Sequence, residues 1–162
     1  MNADNIRTLY GYHFAANRKL WDTCIVPLTD EQFVQSLEYS RGSIRNQVVH
    51  LMHVEMGWFT NLSPNLSQPE DFRDAEEWPT RESIRQQWDS VEAKIRAYLA
   101  DLTDEICQQT IEDEGRTLFK WQVMLHVINH ATDHRAQILA MLHTLGGQTF
   151  AQDMVFYFWD DL

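Results

Sequence analysis

Four stretches of this sequence repeat apolar residues at intervals of three and four, and a periodicity sustained over several turns commits a chain to helix. In the first, Ile6, Leu9, Tyr10, His13, Phe14, Asn17, Leu20, Trp21 and Cys24 form one stripe, with Asp4 the expected cap and Pro27 the stop. The second runs from a Ser43 cap through Ile44, Gln47, Val48, Leu51, Val54, Glu55, Trp58 and Phe59 to Leu62, ahead of Ser63-Pro64. The third, capped by Thr80, carries Ile84, Trp88, Val91, Ile95, Tyr98 and Leu99 to Leu102. The fourth spans about Lys120 to Leu145, closed by Gly146-Gly147.

The intervening segments are short or irregular. Thr29 and Gln32 predict a capped turn of helix. Asn65 to Pro79 has no period and is the longest expected loop, a candidate rim for a nearby site. Ile106 to Leu118, with Gly115, fits a short hairpin or an extended loop equally well. The apolar tail from Asp153 to Trp159 has to pack on its own bundle or on a second subunit. These elements predict an all-α four-helix bundle, a fold that commonly holds metals between facing helices.

With 162 residues, 44% of them hydrophobic, the chain can fill one core, so residues 1–162 are expected to form a single domain. A net charge of −11 repels a phosphate backbone and argues against direct nucleic-acid binding. No apolar run reaches the ~18 residues of a membrane span. Met1-Asn2-Ala3-Asp4 offers no basic-then-apolar signal, which makes a cytoplasmic location the expectation. Cys24 and Cys107 sit in no metal or redox motif and are expected to be ordinary core residues.

The histidines carry the chemistry. Four of seven, His126, His130, His134 and His143, fall on the fourth helix. Residues four apart share a helix face, so His130 and His134 form half of a metal site. His126 extends that stripe by another turn, too far along a straight helix to reach the same small ion. The third donor must come from elsewhere, and His50 is the best candidate, set among Val48, Val49, Leu51 and Met52. A satisfied core histidine explains His50 as well, and His53 is a rival donor or an outer partner. Glu55 and Asp133 are candidates to orient a ligand imidazole, or simply helix-face acids. An HExxH protease motif fails at Ala131, and the inverted HxxEH form is approached only with Asp133 in place of glutamate.

Three blocks, Tyr10 to Arg18, Ser43 to Trp58 and His126 to Ile138, together with Asp153 to Tyr157, resemble the DinB/YfiT-like family in order and over essentially the whole chain. The resemblance implies a four-helix bundle in which His50, His130 and His134 bind nickel, zinc or a similar divalent metal, and it implies a homodimer. Where relatives often read His-x-x-His-His-Arg-Gly-Gln, this chain has Asp133-His134-Arg135-Ala136-Gln137, so the surroundings of the ligands differ.

Some relatives are thiol-dependent transferases or isomerases using bacillithiol, mycothiol or glutathione. A metal-binding protein, and within that class an S-transferase acting through a metal-activated low-molecular-weight thiol on a small-molecule substrate, is therefore the leading expectation. A metal-dependent hydrolase and a non-catalytic, stress-associated dimer with a structural metal are the alternatives. Acidic thiols need cations at the site mouth, for which Arg41, Arg45 and Arg135 are the candidates.

Overall fold

Side-chain caps decide where the helices begin. The computed structural model describes residues 1–67, 73–78, 80–160 and 162. Helix α1, Ala3–Lys19, is capped by Asn2, whose side chain accepts the Asn5 N–H at 2.8 Å, and not by Asp4 as expected. Asp4 lies inside the first turn, where its charge suits the helix's positive end and pairs with Arg7 at 2.7 Å. Beyond Lys19 the helix widens into a π-helical turn, Leu20–Ile25, so the first stripe is not one uninterrupted α-helix. The wider turn buries Leu20, Trp21, Cys24 and Ile25 together.

The remaining starts agree with the sequence. Thr29 and Gln32 make a full capping box for α2, Asp30–Val34. Ser43 caps α3, Ile44–Leu62, and Thr80 caps α4, Arg81–Ala100, with Ser83 returning the bond. Helix α4 stops two residues short of Leu102, and a further turn, α5, covers Asp104–Cys107. The undecided segment is a hairpin: β1, Thr110–Asp113, pairs antiparallel with β2, Arg116–Phe119. Its two-residue turn puts Glu114 and Gly115 at φ 48° and 76°, the left-handed geometry that matches strand twist. Helix α6, Lys120–Thr144, ends where the Gly147 N–H reaches the Leu142 carbonyl. Of the expected Asn65–Pro79 loop, Pro69 and Pro79 lie outside the described residues; Ala75–Glu77 forms a 3-10 turn packed on α3.

Helices α1, α6, α3 and α4 close a ring, each packed on the next and α4 back on α1. Between them Val48, Met52 and Phe59, Trp88 and Ile95, and Val127, Ala131 and Ile138 form a continuous core, so the chain is a predominantly helical bundle. Both cysteines are buried and free. Among the described residues no helix is long and apolar enough to cross a membrane.

The interior also holds charge. Glu55 on α3 and Arg135 on α6 are both essentially sealed from solvent and joined through α1. Asn17 donates to Glu55 at 3.1 Å and accepts from Arg135 at 2.9 Å. His13 lies 3.1 Å from Glu55, and the Trp88 indole donates to the other carboxylate oxygen at 3.1 Å. Burial works to raise the Glu55 pKa, but His13 and the bonds from His13, Trp88 and Asn17 outweigh it and hold the carboxyl below its ordinary value.

The C-terminal segment covers its own bundle. Gln152 accepts from Arg135 at 3.0 Å through its side chain and from the Tyr12 hydroxyl at 2.7 Å through its carbonyl. Helix α7, Met154–Phe158, then lies on α1, where a Cβ at Gly11 would come within 2.3 Å of the Tyr157 hydroxyl. A side chain at Gly11 would push the Tyr157 ring aside.

Candidate metal centre

One turn of α6 brings His130 and His134 onto the face that packs against α3, and His50 meets them from the middle of α3. The ring centroids lie 4.3 Å apart for His130 and His134, 4.6 Å for His50 and His134, and 5.2 Å for His50 and His130. One donor atom from each falls within 4.8 Å of the others. The Nε2 atoms of His50 and His130 are 3.3 Å apart. Two nitrogens bound at ~2.0–2.1 Å to a tetrahedral ion are separated by roughly that distance. The set fits a borderline-soft divalent ion, which imidazole donors suit.

Protonation favours the same reading. Burial draws the His50 pKa down to about 4, helped by the Arg41 charge and the neighbouring imidazoles. Burial likewise lowers His130 to about 4, with His134 and His126 adding to it and Asp133 working against it. His134 is lowered by burial, against Asp133. Near neutral pH all three rings are uncharged and have lone pairs to give.

The tautomer of His134 is set by a partner the sequence did not single out. The Gln47 amide donates to Ser40 Oγ at 2.8 Å and to Gln137 Oε1 at 3.0 Å, which leaves its carbonyl to accept from His134 Nδ1 at 2.7 Å. The proton therefore sits on Nδ1 and the lone pair on Nε2. Gln137 in turn donates to Asp133 at 3.0 Å, and Ser40 also bonds Gln137. Gln47 was legible only as a stripe residue. Its signal was an amide at a core position, which needs a partner.

The other named residues lie elsewhere. His126 is exposed, packs edge-on to Trp58 with centroids 5.2 Å apart, and neighbours His130 at 5.9 Å without contributing a donor to the cluster. His53 is half-buried on the Asp74 side and does not join the cluster. Glu55 belongs to the sealed network, as does Arg135, so neither orients a cluster imidazole and Arg135 is not at the mouth. Arg45 is paired with Glu76 at 3.2 Å. Of the three arginines, Arg41 alone touches the cluster, its guanidinium 3.2 Å from His50 Nε2.

Two solved structures resemble the chain over nearly its full length. A DinB-like protein from Bacillus cereus superposes with a TM-score of 0.66 at 18% identity, covering 93% of this chain and 97% of its own. A DinB family member from Shewanella denitrificans gives 0.57 at 15% identity, covering 94% and 86%. At such identities the likeness establishes the fold. No curated protein matches in sequence. The DinB family pattern matches residues 1–161, and with a helical bundle of this shape the chain belongs to the DinB family.

Proposed function

We propose that His50, His130 and His134 hold one divalent transition metal, nickel or zinc, and that the site serves thiol-dependent S-transfer to a small electrophile. The supporting observation is the convergence of three neutral imidazoles, one with its tautomer fixed by Gln47, at a place where His50 and His130 remain half-open. Three protein ligands leave a coordination position free, the arrangement of catalytic rather than closed structural sites. A bound ion supplies Lewis acidity there, lowering the pKa of a thiol or water.

The chain's own residues do the rest. Gln47 aims the His134 lone pair, burial keeps all three donors unprotonated, and Arg41 places a cation at the entrance. A hydrolase of the protease type adds a carboxylate base, and the acid whose charge reaches His130 and His134, Asp133, is exposed and bound to Gln137. That favours thiol transfer.

Elemental analysis of protein purified without a histidine tag should give one metal per chain, and none in His130→Ala/His134→Ala. Conjugation of a low-molecular-weight thiol to an electrophile should then track metal content. Hydrolysis without thiol would replace the transfer reading, whereas a metal that raises only the melting temperature would leave a structural role.

We also propose a homodimer, with α7 at its interface. Val155, Phe158 and Trp159 are 40%, 55% and 62% exposed, an apolar strip costly to leave in water. Light scattering should give twice the chain mass, and a monomer at high micromolar concentration would remove the proposal.

A further inference from the structure

Among the described residues Arg41 and Arg116 are exposed arginines without a carboxylate partner, and of the two it is Arg41 that lies against the histidine cluster. Arg7, Arg18, Arg45, Arg81, Arg85 and Arg96 each pair with a carboxylate. Among the described residues no carboxylate pairs with the exposed Arg41, in a chain with 24 acidic and 13 basic residues. Its guanidinium instead donates to His50 Nε2 at 3.2 Å, the atom that lies 3.3 Å from His130 Nε2.

An imidazole nitrogen has one lone pair. A metal held by His50 would take that pair, and the Arg41 donors, now beside the ion, would be left without their partner. The backbone that carries Arg41 is anchored beside the ligand set. The Leu37 and Gly42 backbone N–H groups close it at 2.6 and 3.0 Å, and Asn46 donates to the Arg41 carbonyl at 3.2 Å. Ser40, at φ 49°, is bonded to Gln137 and Gln47, the side chains that position His134. Loop and ligand set are thus one connected unit.

We infer that Arg41 is an anion anchor: the molecule that fills the metal's free position carries a carboxylate a few bonds from its donor atom, and Arg41 binds that carboxylate. The inference rests on the metal reading and narrows the proposed thiol to an acidic one. Guanidinium and carboxylate match as a charge-assisted, two-point pair, and the ligand's charge also offsets that of the ion.

Cobalt(II)-loaded protein provides the test, because ligand binding is read directly from its visible and thiolate charge-transfer absorption, without any assay of activity. Two pairs of probes share a donor and differ in a carboxylate: 3-mercaptopropionate against 2-mercaptoethanol, and imidazole-4-acetate against imidazole. Affinities are compared for the wild type, Arg41→Gln and Arg41→Lys at equal measured cobalt content.

The expected result is about a tenfold preference for the acidic member, abolished in Arg41→Gln and partly restored in Arg41→Lys. Equal affinities within whichever pair binds, or a preference that survives in Arg41→Gln, overturn the anchor. An Arg41-dependent preference confined to the imidazole pair, with both thiols silent, upholds the anchor and removes the thiol reading. Protein that takes up no cobalt, or binds none of the four probes, removes both.

Discussion

His134 and Arg135 are adjacent on α6, yet they serve opposite kinds of polar cluster. His134 joins two half-open imidazoles whose donors face one another, with one arginine at their edge. Arg135 joins a sealed network in which Asn17 links it to Glu55, and Tyr12, Thr132 and Gln152 take its other donors. The second cluster is complete in itself. In the first, neutral nitrogens are crowded against each other, and the proposed ion is what would satisfy them. One helix thus separates the two tasks by facing them in different directions.

The largest effect should come from breaking the sealed side. Arg135→Met removes the buried cation that faces Glu55 across Asn17 and strands the acceptors gathered around it, and denaturant unfolding should show a loss of about 3–5 kcal/mol. His130→Ala, on the open side, should cost the metal-free protein far less. Similar losses for the two variants would erase the distinction drawn between the clusters.

Next in size is the link between Gln47 and His134. Gln47→Ala frees the imidazole to take the other tautomer, and metal affinity by competition with a chelator should fall about 10–100-fold. The same substitution should leave the Glu55 network untouched, which the indole signal of Trp88 can report.

Acid should undo the clusters in separate windows. His50 and His130 are near pKa 4 when folded and about 6.5 when unfolded, so between those values the unfolded chain binds more protons. Stability of the metal-free protein should therefore be intact above about pH 6.5 and decline as pH falls toward 4, and a His50→Phe/His130→Phe variant should flatten that decline. The Glu55 contribution is present above the ordinary carboxylate pKa and is lost only as pH falls through its lowered folded value. Coincident transitions, seen by midpoints across the pH series, would contradict the assignment of partners.

The smallest change is expected at His126. Its ring is exposed, leans on Trp58 and lies 5.9 Å from that of His130 without joining the donor set, so His126→Ala should alter metal affinity less than about threefold, within the range of a surface substitution. A larger loss would add it to the ligand set.

Local signals in the sequence mostly match the structure, the cap at Asp4 excepted, while of the long-range readings His50 meets His130 and His134 and Glu55 and Arg135 turn instead to each other through Asn17. Thr29, Ser43 and Thr80 cap where expected because a cap bond spans three residues. His130 and His134 were legible from helical spacing, and the structure brings His50 to them from 80 residues away. Glu55 and Arg135 were read toward the site because an acid or a cation on a helix looks alike whether it faces an ion, water or a buried partner. Their bridge through Asn17 spans 38 residues on one side and 118 on the other, beyond any pattern a window can hold. The π-helical turn at Leu20–Ile25 escaped for a related reason: its apolar residues fit an α-helical stripe too, and only packing selects the wider turn.

The bond from Arg135 to Gln152 gives the chain a direction in time. During synthesis α6 emerges before the segment that completes its buried cation, 17 residues later, a delay of about 1–3 s at ordinary translation rates. Until then the guanidinium lacks one of its acceptors, and Tyr12, near the start of the chain, waits for the Gln152 carbonyl 140 residues away. The interior of this bundle is therefore completed by its last segment, and a chain truncated just after α6 should be helical but loosely closed.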